Sequence, residues 1–192
     1  MVLVAHADSD ALMDHVAAEL QRALRAFKPS KAAPLFVLGL CTGGTPRPLY
    51  ERLVRAANGR RLTLRNCCVV MLDEYEGTTR YRDYISSELV EAVPEAARPA
   101  DVCCPDGRAA DLEAECRRYE ELLGRVDLWV CGVGSNGHVA FHEPGVPLER
   151  GTHVCELAES TRRDNARLGE DVPRRAVTVG VGTLMRRAAR VW

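Results

Sequence analysis

The stretch LFVLGLCTGGTP, residues 35–46, decides the fold class. Residues 35–41 form an unbroken apolar run, as a strand buried on both faces of a parallel sheet requires. Gly43 and Gly44 break the run, Thr45 can cap a helix, and Pro46 suits a first helical position, where its missing N–H costs nothing. Leu49, Leu53 and Val54 then recur at helical spacing, and Asn58-Gly59 ends the segment. A strand, a glycine turn and a helix in that order open a strand–helix–strand unit.

The same reading extends in both directions. Upstream, Asp8 and Ser9 are good helix caps, followed by Leu12, Met13, Val16, Leu20, Leu24 and Phe27 at helical spacing until Pro29. Downstream, apolar runs over residues 67–72 and 126–133 predict two more buried strands, and residues 152–157 and 176–181 read as strands too. Helices are expected over residues 81–93, 109–123, 161–168 and 183–192. Strands separated by helices give an α/β fold, Rossmann-like, with a parallel sheet flanked by helices and a single domain over residues 1–192.

The 192 residues carry a net charge of -1, with 46% apolar and 28% charged residues. No basic stripe points to nucleic acid or an anionic membrane surface. Lys28 and Lys31 are the only lysines, so cationic phosphate contacts fall to arginine, whose planar fork suits phosphate oxygens. Of eight cysteines, Cys67-Cys68 and Cys103-Cys104 are adjacent pairs and no C-x-x-C occurs, so neither a zinc ribbon nor a thioredoxin motif is supported. Reduced thiols and a cytoplasmic location are expected, with no membrane span and no metal.

Ligands of parallel sheets bind beyond the carboxyl ends of the strands. Three unusual clusters fall there. Thr42-Gly43-Gly44-Thr45 offers backbone N–H groups and hydroxyls to an anion, although taken alone it reads first as a tight strand-to-helix turn with a standard cap. Asp73-Glu74 ends a buried strand, where a carboxylate serves as a general base or caps the next helix. Gly132 to Gly137 matches G-x-G-x-x-G formally, but Pro144 limits any following helix, so the dinucleotide reading fails. What remains is a glycine-rich loop delivering His138, His142 and Glu143, with His138 the stronger candidate. Arg163 and Arg167 share one face of the Arg-rich helix, as a phosphate clamp or a solvated surface.

Together, residues 38–46, 71–75, 132–144 and 176–184, with the helix around residues 111–121, resemble the glucosamine-6-phosphate deaminase (isomerase) family in order and spacing. Phosphogluconate lactonases share the fold and the Gly-Gly-Thr loop, but Asp-Glu-Tyr and Gly-His-x-Ala-Phe-x-Glu-Pro favour the deaminase branch. The resemblance implies a hydrolase that turns glucosamine 6-phosphate into fructose 6-phosphate and ammonia, in N-acetylglucosamine catabolism and without a cofactor. It implies that Thr42, Gly43, Gly44, Thr45 and Arg167 hold the phosphate. Asp73 would shuttle the proton between C1 and C2, and His138 would open the ring, oriented by Glu143. Asn136 stands where the family has an aspartate, so the negative charge beside the imidazole is missing. The family's C-terminal strand and helix are expected to be lacking. Two alternatives follow: a weak or inactive relative that binds a sugar phosphate or a protein, and a 6-phosphogluconolactonase. The resemblance also allows a homo-oligomer.

Overall fold

The computed structural model describes residues 3–166 and 171–192. The Asp8 carboxylate accepts the Ala11 N–H and starts α1 (Ser9–Ala26), which buries Met13, Ala17 and Leu20. Next come β1 (Phe36–Leu40), α2 (Arg47–Asn58), β2 (Cys67–Met71), β3 (Asp73–Tyr75) and α3 (Arg80–Ile85), which runs on as a π-helical turn (Ser86–Val90). The chain continues through β4 (Asp101–Cys103), α4 (Leu112–Leu122), β5 (Leu128–Trp129), β6 (His153–Glu156), α5 (Glu159–Ala166), β7 (Arg175–Thr178) and α6 (Val181–Arg187).

Four strands form a parallel sheet in the order β4-β2-β1-β5. Apolar side chains cover both faces. Leu38, Leu40, Val69 and Met71 join α1 and α2 on one side, while Val70, Trp129, Tyr119 of α4 and Leu184 of α6 pack on the other. This double burial is why β1 and β2 read as continuous apolar runs.

A second sheet departs from the all-parallel expectation. Residues of β6 and β7 do form strands, but they pair antiparallel with β3 in the order β3-β7-β6. Val181 begins α6 and does not extend β7. The expected strand over residues 126–133 shortens to Leu128–Trp129, because only this part lies in register with β1. Isolated bridges tie Val126 to Ala188 and Trp129 to Val191 on its other side.

The two sheets share one stretch of chain. β2 ends at Met71 and β3 starts at Asp73, so only Leu72 lies between them. Leu72 is 1% exposed, and its carbonyl accepts the Val179 N–H at 2.8 Å. No helix among the described residues is long and apolar enough to cross a membrane.

Candidate active site

The loop after β1 is fixed from beneath. The Tyr50 phenol donates to the Cys41 carbonyl, and the Tyr84 hydroxyl donates to the Gly43 carbonyl at 3.0 Å. Gly43 has φ +107°, a left-handed conformation that side chains resist. A Cβ at Gly43 or Gly44 would meet no atom within 4 Å, so this backbone faces open space. Thr45 does not cap α2, contrary to expectation. Pro46 occupies the cap position, no side chain caps the helix, and Thr45 is exposed. The positive end of α2 is thereby left open toward the rim, a setting that attracts anions. Thr42, ahead of the two glycines, is half-buried.

Asp73 begins β3 and is 6% exposed. Burial pushes its carboxyl up to about 8, and the charge of neighbouring Glu74 adds to the rise. Glu74 has a different task. Its Oε1 accepts the Tyr75 N–H and the Thr78 hydroxyl, and its Oε2 accepts the N–H groups of Tyr81 and Arg82. The fully buried Glu74 carboxylate therefore closes the turn after β3 and satisfies the start of α3.

The glycine-rich loop carries a continuous hydrogen-bond run. Asn136 Nδ2 donates to Glu143 Oε2 at 2.8 Å, and Asn136 Oδ1 lies 2.7 Å from His138 Nδ1. Because Oδ1 only accepts, His138 carries its proton on Nδ1 and keeps the Nε2 lone pair free. Asn136 Oδ1 also accepts the His138 N–H at 3.1 Å, a local turn that aims the ring. Gly134 is required beneath that ring, since a Cβ there would sit 2.1 Å from His138 Cε1. Glu143 is 7% exposed, and its Oε1 accepts the Ala158 N–H ahead of α5.

Ser160 and Thr161 of α5 stand 3.3 Å from Asn136 Nδ2, and the Thr161 hydroxyl is 3.3 Å from His138 Nδ1. The sequence reading missed both. Their only signal is a Ser-Thr pair at the head of the Arg-rich helix. Arg167 lies outside the described residues. His142 is structural: Nδ1 accepts the Val181 N–H, so Nε2 faces the Val146 carbonyl as donor.

Buried side chains gather these parts on one rim. Thr178 of β7 pairs in register with Asp73, and its hydroxyl accepts the Phe141 N–H at 2.9 Å, which ties the histidine loop to the strand bearing the acid. Phe141 packs on Tyr75 and Tyr81, with its ring centroid 6.4 Å from that of His138. The Asp73 charge bears both on the Tyr81 phenol and on the Cys41 thiol ahead of the glycine loop, which places the acid near this aromatic cluster and the loop after β1.

The family described as glucosamine-6-phosphate isomerases/6-phosphogluconolactonase matches residues 7–173. A glucosamine-6-phosphate deaminase of Bacillus velezensis is 43% identical over 166 residues, covering 81% of this chain and 68% of its own. Glucosamine-6-phosphate deaminase 1 of Bacillus subtilis is 40% identical with the same coverage of both chains. The solved structure of a monomeric glucosamine-6-phosphate deaminase superposes with a TM-score of 0.88 at 35% identity, over 100% of this chain and 80% of that one. A 6-phosphogluconolactonase of Trypanosoma brucei, at 20% identity and a TM-score of 0.67 over 98% of this chain and 79% of its own, shares the fold alone. The two Bacillus relatives and the monomeric enzyme are named deaminases, and those names do not support the expected hydrolase class.

Proposed function

Since this chain belongs to the family of glucosamine-6-phosphate isomerases and 6-phosphogluconolactonases, we propose that it converts glucosamine 6-phosphate and water into fructose 6-phosphate and ammonia. The phosphate would rest on the backbone of residues 42–45 at the open end of α2, with Arg167 as a further cationic contact. His138 Nε2 would take the proton of the C1 hydroxyl while C1–O5 breaks, then pass it to O5, which opens the ring. Asn136 and Glu143 fix the imidazole for that exchange.

The Asp73 carboxylate would then remove the C2 proton and return it at C1. The electron pair moves into a C1–C2 double bond as the C1 oxygen takes up a proton, and when C1 is protonated the amine gives one up, which leaves an imine at C2. Water adds there, and ammonia departs. A carboxylate raised to about 8 suits this step, because once ionised it is a stronger base than a solvated carboxylate and can still hand the proton on to C1.

One observation supports the reading: the loop that carries the run His138–Asn136–Glu143 is hydrogen-bonded to Thr178, which pairs in register with Asp73, a buried acid with an elevated pKa. Opening a lactone needs no carbon-to-carbon proton shuttle, so Asp73 favours the aminosugar reaction over lactonase chemistry. Free thiols at all eight cysteines fit a cytoplasmic enzyme of aminosugar breakdown. The test is an assay of ammonia and fructose 6-phosphate released from glucosamine 6-phosphate, run beside hydrolysis of 6-phosphogluconolactone. Release above the buffer rate is expected. Lactone hydrolysis without ammonia overturns the proposal, and thermal stabilisation by the sugar phosphate without turnover replaces it with a binding role.

A further inference from the structure

Away from the rim, Cys68 in β2 and Asp101 and Cys103 in the edge strand β4 point to the same face of the parallel sheet. Cys68 stands in register with Asp101, and Cys103 lies two residues further along β4. Their ligand atoms, two sulfurs and a carboxylate oxygen, all lie within 4.8 Å of one another. We propose that Cys68, Asp101 and Cys103 bind a thiophilic divalent cation of the zinc class, with the fourth coordination position open to water or an outside ligand.

The separations carry the argument. A tetrahedral zinc ion at about 2.3 Å from sulfur and about 2.1 Å from oxygen places two thiolates about 3.8 Å apart, and a thiolate about 3.6 Å from a carboxylate oxygen. Here the Cys68 and Cys103 sulfurs are 3.8 Å apart, and the Cys103 sulfur is 3.6 Å from Asp101 Oδ2. Two of the three separations match those that coordination demands, and the third pair, the Cys68 sulfur and the Asp101 carboxylate, lies within 4.8 Å.

The carboxylate is oriented as well. Asp101 Oδ1 accepts the Val102 N–H at 2.8 Å, which leaves Oδ2 for the metal, as an outer hydrogen bond does for many ligands. Asp101 is exposed and both cysteines are half-buried, so an ion can enter from solvent. Other thiols are less suited: Cys67, Cys104, Cys116 and Cys155 are buried. A bound ion would staple β4 to β2 and protect a sheet edge.

The experiment titrates the metal-stripped, reduced full chain with Cd²⁺, following thiolate-to-metal charge transfer, and measures Zn²⁺ affinity against a chromophoric chelator. One ion per chain, a two-thiolate band and a higher Tm with Zn²⁺ are expected. Cys68→Ser with Cys103→Ser should abolish the band and the Tm shift. Exposed Asp101→Asn, which does not depend on refolding a thiol position, should weaken binding at least roughly tenfold. A band that persists in the double variant, an Asp101→Asn affinity equal to wild type, or no wild-type binding of Zn²⁺ or Cd²⁺ overturns the proposal.

Discussion

Replacing Asp73 by Asn should make the protein more stable, by an amount that grows with pH. The Asp73 carboxyl is raised from 3.8 to about 8, chiefly by burial. Between those values the folded protein holds one proton that the unfolded chain has released. Proton uptake on folding means that stability falls as pH rises, by up to about 1.4 kcal/mol per pH unit. The wild type therefore has this stability in full below about pH 4 and loses it progressively until about pH 8, a total of at most about 6 kcal/mol. The amide has no such proton to lose. Glu74, also raised by burial, remains in both proteins and cancels in the comparison. Urea unfolding of both proteins at intervals across this range measures the difference directly. It should be near zero at the acid end and several kcal/mol in favour of Asp73→Asn at the alkaline end. A difference that stays flat with pH would show that Asp73 ionises like a solvated carboxyl, and would remove the reason for assigning it a proton-shuttling role.

With glucosamine 6-phosphate as substrate, wild-type kcat/KM should climb about tenfold per pH unit toward about 8 as Asp73 ionises, and an acid limb centred near 4 would contradict this. Gly134→Ala puts a Cβ 2.1 Å from His138 Cε1, so turnover should drop on the order of a hundredfold while sugar-phosphate stabilisation persists. Equal loss of both would point to a collapsed loop. Glu74→Gln presents an amide nitrogen to two groups that themselves donate, and urea unfolding should register about 3 kcal/mol of lost stability. Asn136→Asp brings an oxygen to within 2.8 Å of Glu143 in place of a donor. Stability should then decline toward alkaline pH, because like charges at that range repel by about 6 kcal/mol at an effective dielectric of about 20. Parallel pH profiles for variant and wild type would refute that clash.

Elements with one dominant physical cause were readable from residue order. β1 and β2 are apolar because both faces are covered, and Asp8 caps α1 through its carboxylate, whereas Asp111 caps α4 inside the stretch expected to be helical already from residue 109. The antiparallel sheet was hidden for the opposite reason. Its strand β3 is Asp-Glu-Tyr, buried at every position, and its acids are there through hydrogen bonding and local chemistry. Hydrophobic periodicity has nothing to report from such a triplet. The positions of Asp73, His138 and Glu143 on one rim followed from the ends of strands. The contribution of Ser160 and Thr161 did not, because it depends on α5 packing over a loop more than twenty positions upstream. Asn136 read as a lost charge. In the structure its amide matches a carboxylate on one side and an imidazole on the other.

The lone residue at Leu72 has a mechanical meaning. A strand that passes from one sheet to the next without a connecting loop behaves as a rigid coupling, and twist in either sheet reaches the other with little slack. Asp73 is the first residue past that joint. Its carboxylate is thus oriented by framework on both sides, and substrate arrival need not freeze a floppy segment to bring it into line.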